Sequence, residues 1–151
     1  MSDKAVRLIS TFLYVGKFPL APGSLASFVG VLMAMALAQH PMIYILIWGL
    51  VTFLGFRFSG RMEGIVQEKD PSCIVIDEVS GCLLAFFLLP LTPSVLWTTF
   101  FLFRAFDMFK IYPVNKLEAM PGSIGIMADD LLAGVYTNLI MQIAVRWAGM
   151  I

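Results

Sequence analysis

Apolar residues in this chain fall into long blocks rather than at the spacing of an amphipathic surface helix, and five blocks stand out. Leu25–Gln39 and Pro41–Ser59 are separated only by the His40–Pro41 break, which predicts a tight helical hairpin. The polar stretch RMEGIVQEKDPS follows. Cys73–Leu89 and Ser94–Ile111 then flank the uncharged turn Pro90-Leu91-Thr92-Pro93, where a proline at each end enforces the reversal. A loop over Tyr112–Ala128, rich in Pro, Gly and Ser, leads into the last block, Asp129–Ala148.

These blocks approach the ~20 apolar residues that cross a bilayer as a helix. The pattern therefore predicts an all-α fold, a polytopic integral membrane bundle of five short transmembrane helices, as one domain over residues 1–151. Leu25–Gln39 is short for this role, rising roughly 22 Å as a helix against a hydrocarbon core of about 30 Å. The preceding GKFPLAPGS is accordingly expected to enter the membrane as a re-entrant loop. Ala5–Tyr14, apolar on both sides of Arg7, is expected to lie along the interface as an amphipathic helix. Ala26, Gly30, Ala34 and Ala38 recur every four residues and predict close approach of another helix.

Composition strengthens this picture. The 151 residues are 60% hydrophobic and 13% charged, with a mean hydropathy of +0.89. That is more apolar than one soluble core requires, so the excess faces lipid. Ten basic and ten acidic residues cancel, and nothing points to nucleic acid. Their placement is asymmetric: Lys4, Arg7, Lys17, Arg57, Arg61, Lys69, Arg104, Lys110 and Lys116 fall on one side of the five-span topology, and Arg146 on the other. Lys and Arg near span ends stay in the cytoplasm, so the N-terminus is predicted inside. Every Asp and Glu shares that side, which places the chemistry at the cytoplasmic face. MSDKAVRLIS has neither the apolar stretch nor the cleavage site of a secretory signal, and the start is expected to be kept. Cys73 and Cys82 lack metal-ligand spacing and are expected to be reduced and structural.

The candidate chemistry lies in ionisable residues at membrane depth. Asp77 and Glu78 sit together in CIVIDEVSGCLL. One ionised carboxylate in a membrane helix costs at least ~2.5 kcal/mol, and two neighbours also repel. A cation would remove both penalties. The plainer alternative is a pair at headgroup level, favoured by a helix N-terminus. Arg104, Asp107 and Lys110 are three apart in FRAFDMFKIYP; for Arg104 and Lys110 an interfacial ion-pair ladder is the plainer alternative. Asp129 and Asp130 are expected to open the last span, where one Asp caps a helix and a second is not required. Hard oxygen ligands of this kind suit Mg²⁺, which leaves positions for water and phosphate oxygens. Pro22–Ser27, including Ser24, adds donors at a helix N-terminus, where anions bind. No Cys is followed six residues later by Arg, His40 is the only histidine, and neither GxxxxGK[ST] nor DxDx[TV] occurs. Metal-assisted attack by water remains.

Four phrases in order, GKFPLAPGSLAS, IDEVSG, FRAFDMFKIYP and PGSIGIMADDLLAG, resemble those of the phosphatidylglycerophosphatase A family. The resemblance implies a Mg²⁺-dependent enzyme of the bacterial inner membrane that converts phosphatidylglycerophosphate to phosphatidylglycerol. It also implies that Asp77, Glu78, Asp107, Asp129 and Asp130 belong to the active site. The chain departs from the family at Ala26, where glycine is usual, and at Gly122-Ser123, where the family has a glycine pair. The roles expected are Asp77, Glu78, Asp129 and Asp130 as metal ligands, Asp107 beside the attacking water, and Lys17, Ser24, Arg104 and Lys110 around the phosphate. Asp77, Asp107 and Asp129 are the catalytic candidates, and membrane lipids are the surroundings and substrate. The competing classes are a cation-coupled transporter and a noncatalytic membrane scaffold. A transporter needs polar residues toward the far side, where these blocks are apolar.

Overall fold

A computed structural model describes residues 2–147, which form seven α-helices and no β-strand among the described residues. They are α1 (Asp3–Ser10), α2 (Pro22–Leu37), α3 (Pro41–Val66), α4 (Ile76–Phe86), α5 (Pro93–Phe109), α6 (Val114–Glu118) and α7 (Gly122–Trp147), with a single 3-10 turn at Val15–Lys17. Proline opens α2, α3 and α5, where its missing N–H costs nothing and its fixed φ favours the first turn. Thr92 caps α5 by accepting a hydrogen bond from the Val95 N–H.

The all-α expectation holds, and two helices, α3 and α7, are long and apolar enough to cross a membrane. Each has 26 residues, with mean hydropathy reaching 1.7 in α3 and 1.3 in α7. At 16, 11 and 17 residues, α2, α4 and α5 are shorter. Large apolar side chains point outward from the bundle, among them Leu46 and Phe53 on α3, Trp97 and Phe101 on α5, and Ile143 on α7. Such a surface is the inverse of a soluble protein's and matches lipid as solvent.

Several boundaries differ from those read in the sequence. Pro22–Ser24 forms the first turn of α2, so only Lys17–Ala21 is left as an exposed connection. The helix thus starts three residues earlier than expected and ends two earlier, at Leu37, so at 16 residues it stays short for a span. α3 continues past Ser59 through the polar stretch because Met62 is still buried on its inner face. The Tyr112–Ala128 loop is mostly helical: α6 lies within it and α7 starts at Gly122. Asp129 and Asp130 are therefore two turns inside α7, and the expectation that they open a helix is corrected. The end expected at Ala148 lies outside the described residues.

Helix α4 is the centre of the bundle and almost wholly buried. On one side, Gly30 of the small-residue stripe lets α2 rest on Cys82, whose thiol donates to the Ser27 carbonyl at 3.2 Å. On the other, α4 crosses α7 where Gly81 faces Gly134; a Cβ on either would run into the opposing backbone carbonyl. The backbones touch there because neither residue has a side chain to hold them apart. Both cysteines are free.

The far end of α4 stops short of a full span, and its carbonyls find partners on other helices. The Tyr44 hydroxyl donates to Leu83 O at 2.7 Å, the Asn138 amide to Ala85 O and Phe87 O, and the Gln142 amide to Phe87 O and Leu88 O. These are the orphan acceptors of a helix C-terminus, which lipid cannot satisfy. The sequence reading treated this half of the bundle as apolar, yet Asn138 and Gln142 are there, engaged in holding the end of α4.

Candidate active site

The Gly81–Gly134 contact fixes the chemistry one helical turn away. Asp77 lies four residues before Gly81 on α4, and Asp130 lies four before Gly134 on α7, so the close crossing brings the two carboxylates together. Glu78 joins them. Ligand oxygens of Asp77, Glu78 and Asp130 all lie within 4.8 Å of one another. Asp77 is 7% exposed and Asp130 3%.

Asp77 Oδ1 and Glu78 Oε2 are buried without a hydrogen-bond partner. Buried carboxylate oxygens with no donor are strongly disfavoured. The cluster thus fits a cation: three hard oxygen donors converge, two of them holding atoms that nothing in the protein satisfies.

Helices α2 and α5 wall this cluster. From α2, Gly23 packs so closely on the Glu78 carboxylate that a Cβ there would collide with Oε1, and the Arg104 guanidinium lies beside the same glycine. Arg104 on α5 forms an ion pair with Asp107 one turn on, and its Nη1 also reaches the Ser27 hydroxyl at 3.4 Å. Ser27 in turn donates to Gly23 O at 3.0 Å. Asp107 is held at this end of α5 by its ion pair with Arg104. At the end of α5, Lys110 turns into the left-handed region and ends the helix. Its ammonium sits between Asp129 Oδ2 at 2.8 Å and Glu118 Oε1 at 2.7 Å.

The structure thus gathers Asp77, Glu78, Asp107, Asp130, Arg104, Lys110 and Asp129 at one end of the bundle. Asp129 stands outside the three-carboxylate cluster, because Lys110 takes one oxygen and the Asp130 N–H donates to the other at 2.9 Å. Two expected phosphate ligands, Lys17 and Ser24, lie just before α2 and in its first turn. Lys17 is exposed, with its ammonium 4.5 Å from the Tyr14 ring centre, and Ser24, half-buried on α2, makes no hydrogen bond to the cluster. Ser27, one turn later on α2, is the serine whose hydroxyl meets Arg104.

Glu118 was not anticipated, since no spacing rule connects it with Lys110 across Pro113. The Gly81 and Gly134 pair left a usable signal: each follows its carboxylate at the same four-residue interval.

Comparison with known proteins bears on this arrangement. The model of the family described as phosphatidylglycerophosphatase A matches residues 8–145. A protein of Bacteroides thetaiotaomicron, provisionally named phosphatidylinositol-3-phosphatase, is 34% identical over 149 residues, covering 93% of this chain and 92% of its own length. Proteins named phosphatidylglycerophosphatase A are 29% identical in Haemophilus influenzae, covering 84% of this chain and 80% of theirs, and 29% identical in Escherichia coli, covering 80% and 72%. No solved structure matches the chain significantly.

Proposed function

The chain belongs to the phosphatidylglycerophosphatase A family and is a lipid phosphatase, and we propose that it hydrolyses the terminal phosphomonoester of phosphatidylglycerophosphate to phosphatidylglycerol and inorganic phosphate. It works with Mg²⁺ at the cytoplasmic face of a bacterial inner membrane, as a single multi-pass domain whose N-terminus lies inside. The observation that carries the reading is the Asp77–Glu78–Asp130 cluster, with its two unpartnered buried oxygens, set in an otherwise apolar bundle.

In this reading Asp77, Glu78 and Asp130 hold Mg²⁺. When bound, the ion supplies Lewis acidity toward the phosphoryl oxygens and makes a nearby water more acidic. The protein's own groups do the rest. Asp107 accepts a proton from the attacking water through Oδ1, while Arg104 holds Oδ2 and fixes the side chain's orientation. Lys110, anchored on Asp129, turns its ammonium toward the phosphate and offsets charge as it builds on the oxygens. Asp129 therefore serves through Lys110 in preference to binding metal. The N-terminal turn of α2 closes over the Glu78 carboxylate at Gly23, where only a residue without a side chain fits. Lys17, set among exposed Leu13, Phe18 and Leu20, meets the anionic membrane surface instead.

The family and the outward apolar surface favour this over a transporter or scaffold. Asn138 and Gln142, the polar groups of the far half of α7, are engaged with the end of α4. A second substrate is favoured by the name of the 34% identical relative, phosphatidylinositol 3-phosphate. Phosphate release by purified protein from phosphatidylglycerophosphate, phosphatidylinositol 3-phosphate and phosphatidic acid, with and without Mg²⁺, tests the proposal. Turnover selective for the first and dependent on Mg²⁺ is expected; preference for either other lipid, or metal independence, overturns it. Asp107→Asn should abolish release while the protein stays folded in detergent.

A further inference from the structure

Glu118 contributes nothing to the carboxylate cluster, yet it touches the lysine assigned to phosphate. We propose that Glu118 is a positioning residue that competes with the phosphoryl group for Lys110, holding the ammonium at the mouth of the site until an incoming phosphate displaces the carboxylate. The inference rests on Lys110 serving the phosphate.

Lys110 Nζ lies 2.7 Å from Glu118 Oε1 and 2.8 Å from Asp129 Oδ2, so its charge is shared between two carboxylates. The two arms are unequal: the Glu118 side chain is 43% exposed and that of Asp129 5%. A water-exposed ion pair is weak, whereas a buried one is costly to break, so Glu118 is the arm that yields. An ammonium on a flexible stem has three donors and keeps Asp129 while exchanging Glu118 for a phosphate oxygen.

Access points the same way. Glu118 also walls a pocket of about 430 Å³ with Lys69, Asp70, Asn115 and Ala119. The Glu118 carboxylate therefore has open, polar volume beside it to move into when it leaves Lys110.

Calorimetric titration of inorganic phosphate into the full-length protein in detergent with Mg²⁺ tests the proposal. Glu118→Gln should tighten phosphate binding about three- to fivefold, the scale of one exposed ion pair, and lower KM for the lipid; Glu118→Asp should fall between. Asp70→Asn, which removes a carboxylate from the same pocket without releasing Lys110, should change affinity by less than about 1.5-fold, as expected for a screened charge not in contact. Equal tightening by Glu118→Gln and Asp70→Asn would mean general repulsion and overturn the proposal. Unchanged or weaker binding in Glu118→Gln would reduce the bridge to a structural tie between α5 and α6. Wild-type protein that hydrolyses the lipid while showing either result defeats this inference alone; wild-type protein that neither binds phosphate nor hydrolyses lipid defeats the functional reading with it.

Discussion

The two ends of α4 present polar groups to the same apolar bundle and treat them in opposite ways. At the C-terminal end, backbone carbonyls from Leu83 to Leu88 are met by Tyr44, Asn138 and Gln142. At the N-terminal end, Asp77 and Glu78 bring two carboxyl groups, sit against Asp130, and keep oxygens that no protein group meets. The partnered end explains itself as structure: a helix too short for its surroundings borrows donors from its neighbours. The unpartnered end is satisfied only by something from outside the chain. Polarity inside a membrane bundle is therefore not by itself a sign of function; polarity without a partner is.

That contrast can be broken most directly at the cluster. Asp130→Asn should lower phosphate release by on the order of 10³-fold, the scale of losing a group that stabilises transition-state charge, while leaving the metal-free protein at least as stable, because one of three crowded carboxylates is gone. Thermal melting in detergent adds a second reading: Mg²⁺ should raise the wild-type midpoint and leave the Asp130→Asn midpoint unchanged. A metal-induced shift retained in the variant would remove Asp130 from the site.

Gly134→Ala sharpens the link between packing and chemistry. The added methyl runs into the Gly81 carbonyl and forces α4 from α7, so Asp77 and Asp130 separate. A shift of ~1 Å at a reacting centre costs about 10²-fold, and activity should fall further than the melting temperature indicates. Equal turnover in the variant would show that the crossing does not set the carboxylate spacing.

At the opposite end, Asn138→Leu should leave the Ala85 carbonyl without its amide donor and Phe87 with Gln142 alone, and destabilise the fold by about 1–3 kcal/mol. Activity per folded molecule should stay within about twofold, since the change lies far along α7 from Asp130. A selective loss of turnover without loss of stability would blur the distinction drawn between the two ends. The smallest effect is expected at Ser24→Ala, under about twofold in kcat/KM as for a surface substitution, against a larger one for Ser27→Ala, which loses the hydroxyl beside Arg104.

Much of this was legible from the chain alone where strong local rules apply. Proline at 41 and 93 marks helix starts, and the apolar blocks give helices with outward-facing apolar surfaces, because their side chains exceed what any core of this size can bury. Asp77, Glu78 and Asp130 stood out because ionisable groups within apolar blocks are costly. The start of α7 was misread because Gly122, Ser123 and Gly125 look like loop residues. In the bundle Gly125 lies against the Met120 and Glu118 carbonyls, where any side chain would collide, so packing overrides propensity. Ser24 and Ser27 both lie near the start of α2, and only the crossing with α5 decides which of them faces Arg104.

The sequence by itself determined the helical class, the apolar exterior and the identity of the acidic residues, because these depend on composition and on neighbours a few positions apart. Tertiary structure alone decided which carboxylates form one cluster and which, like Asp129, spend both oxygens on Lys110 and a backbone N–H. The physical reason is that a cation site is a matter of a few ångströms between helices distant in sequence. Here that distance is set by two glycines, Gly81 and Gly134, that allow the backbones of α4 and α7 to touch.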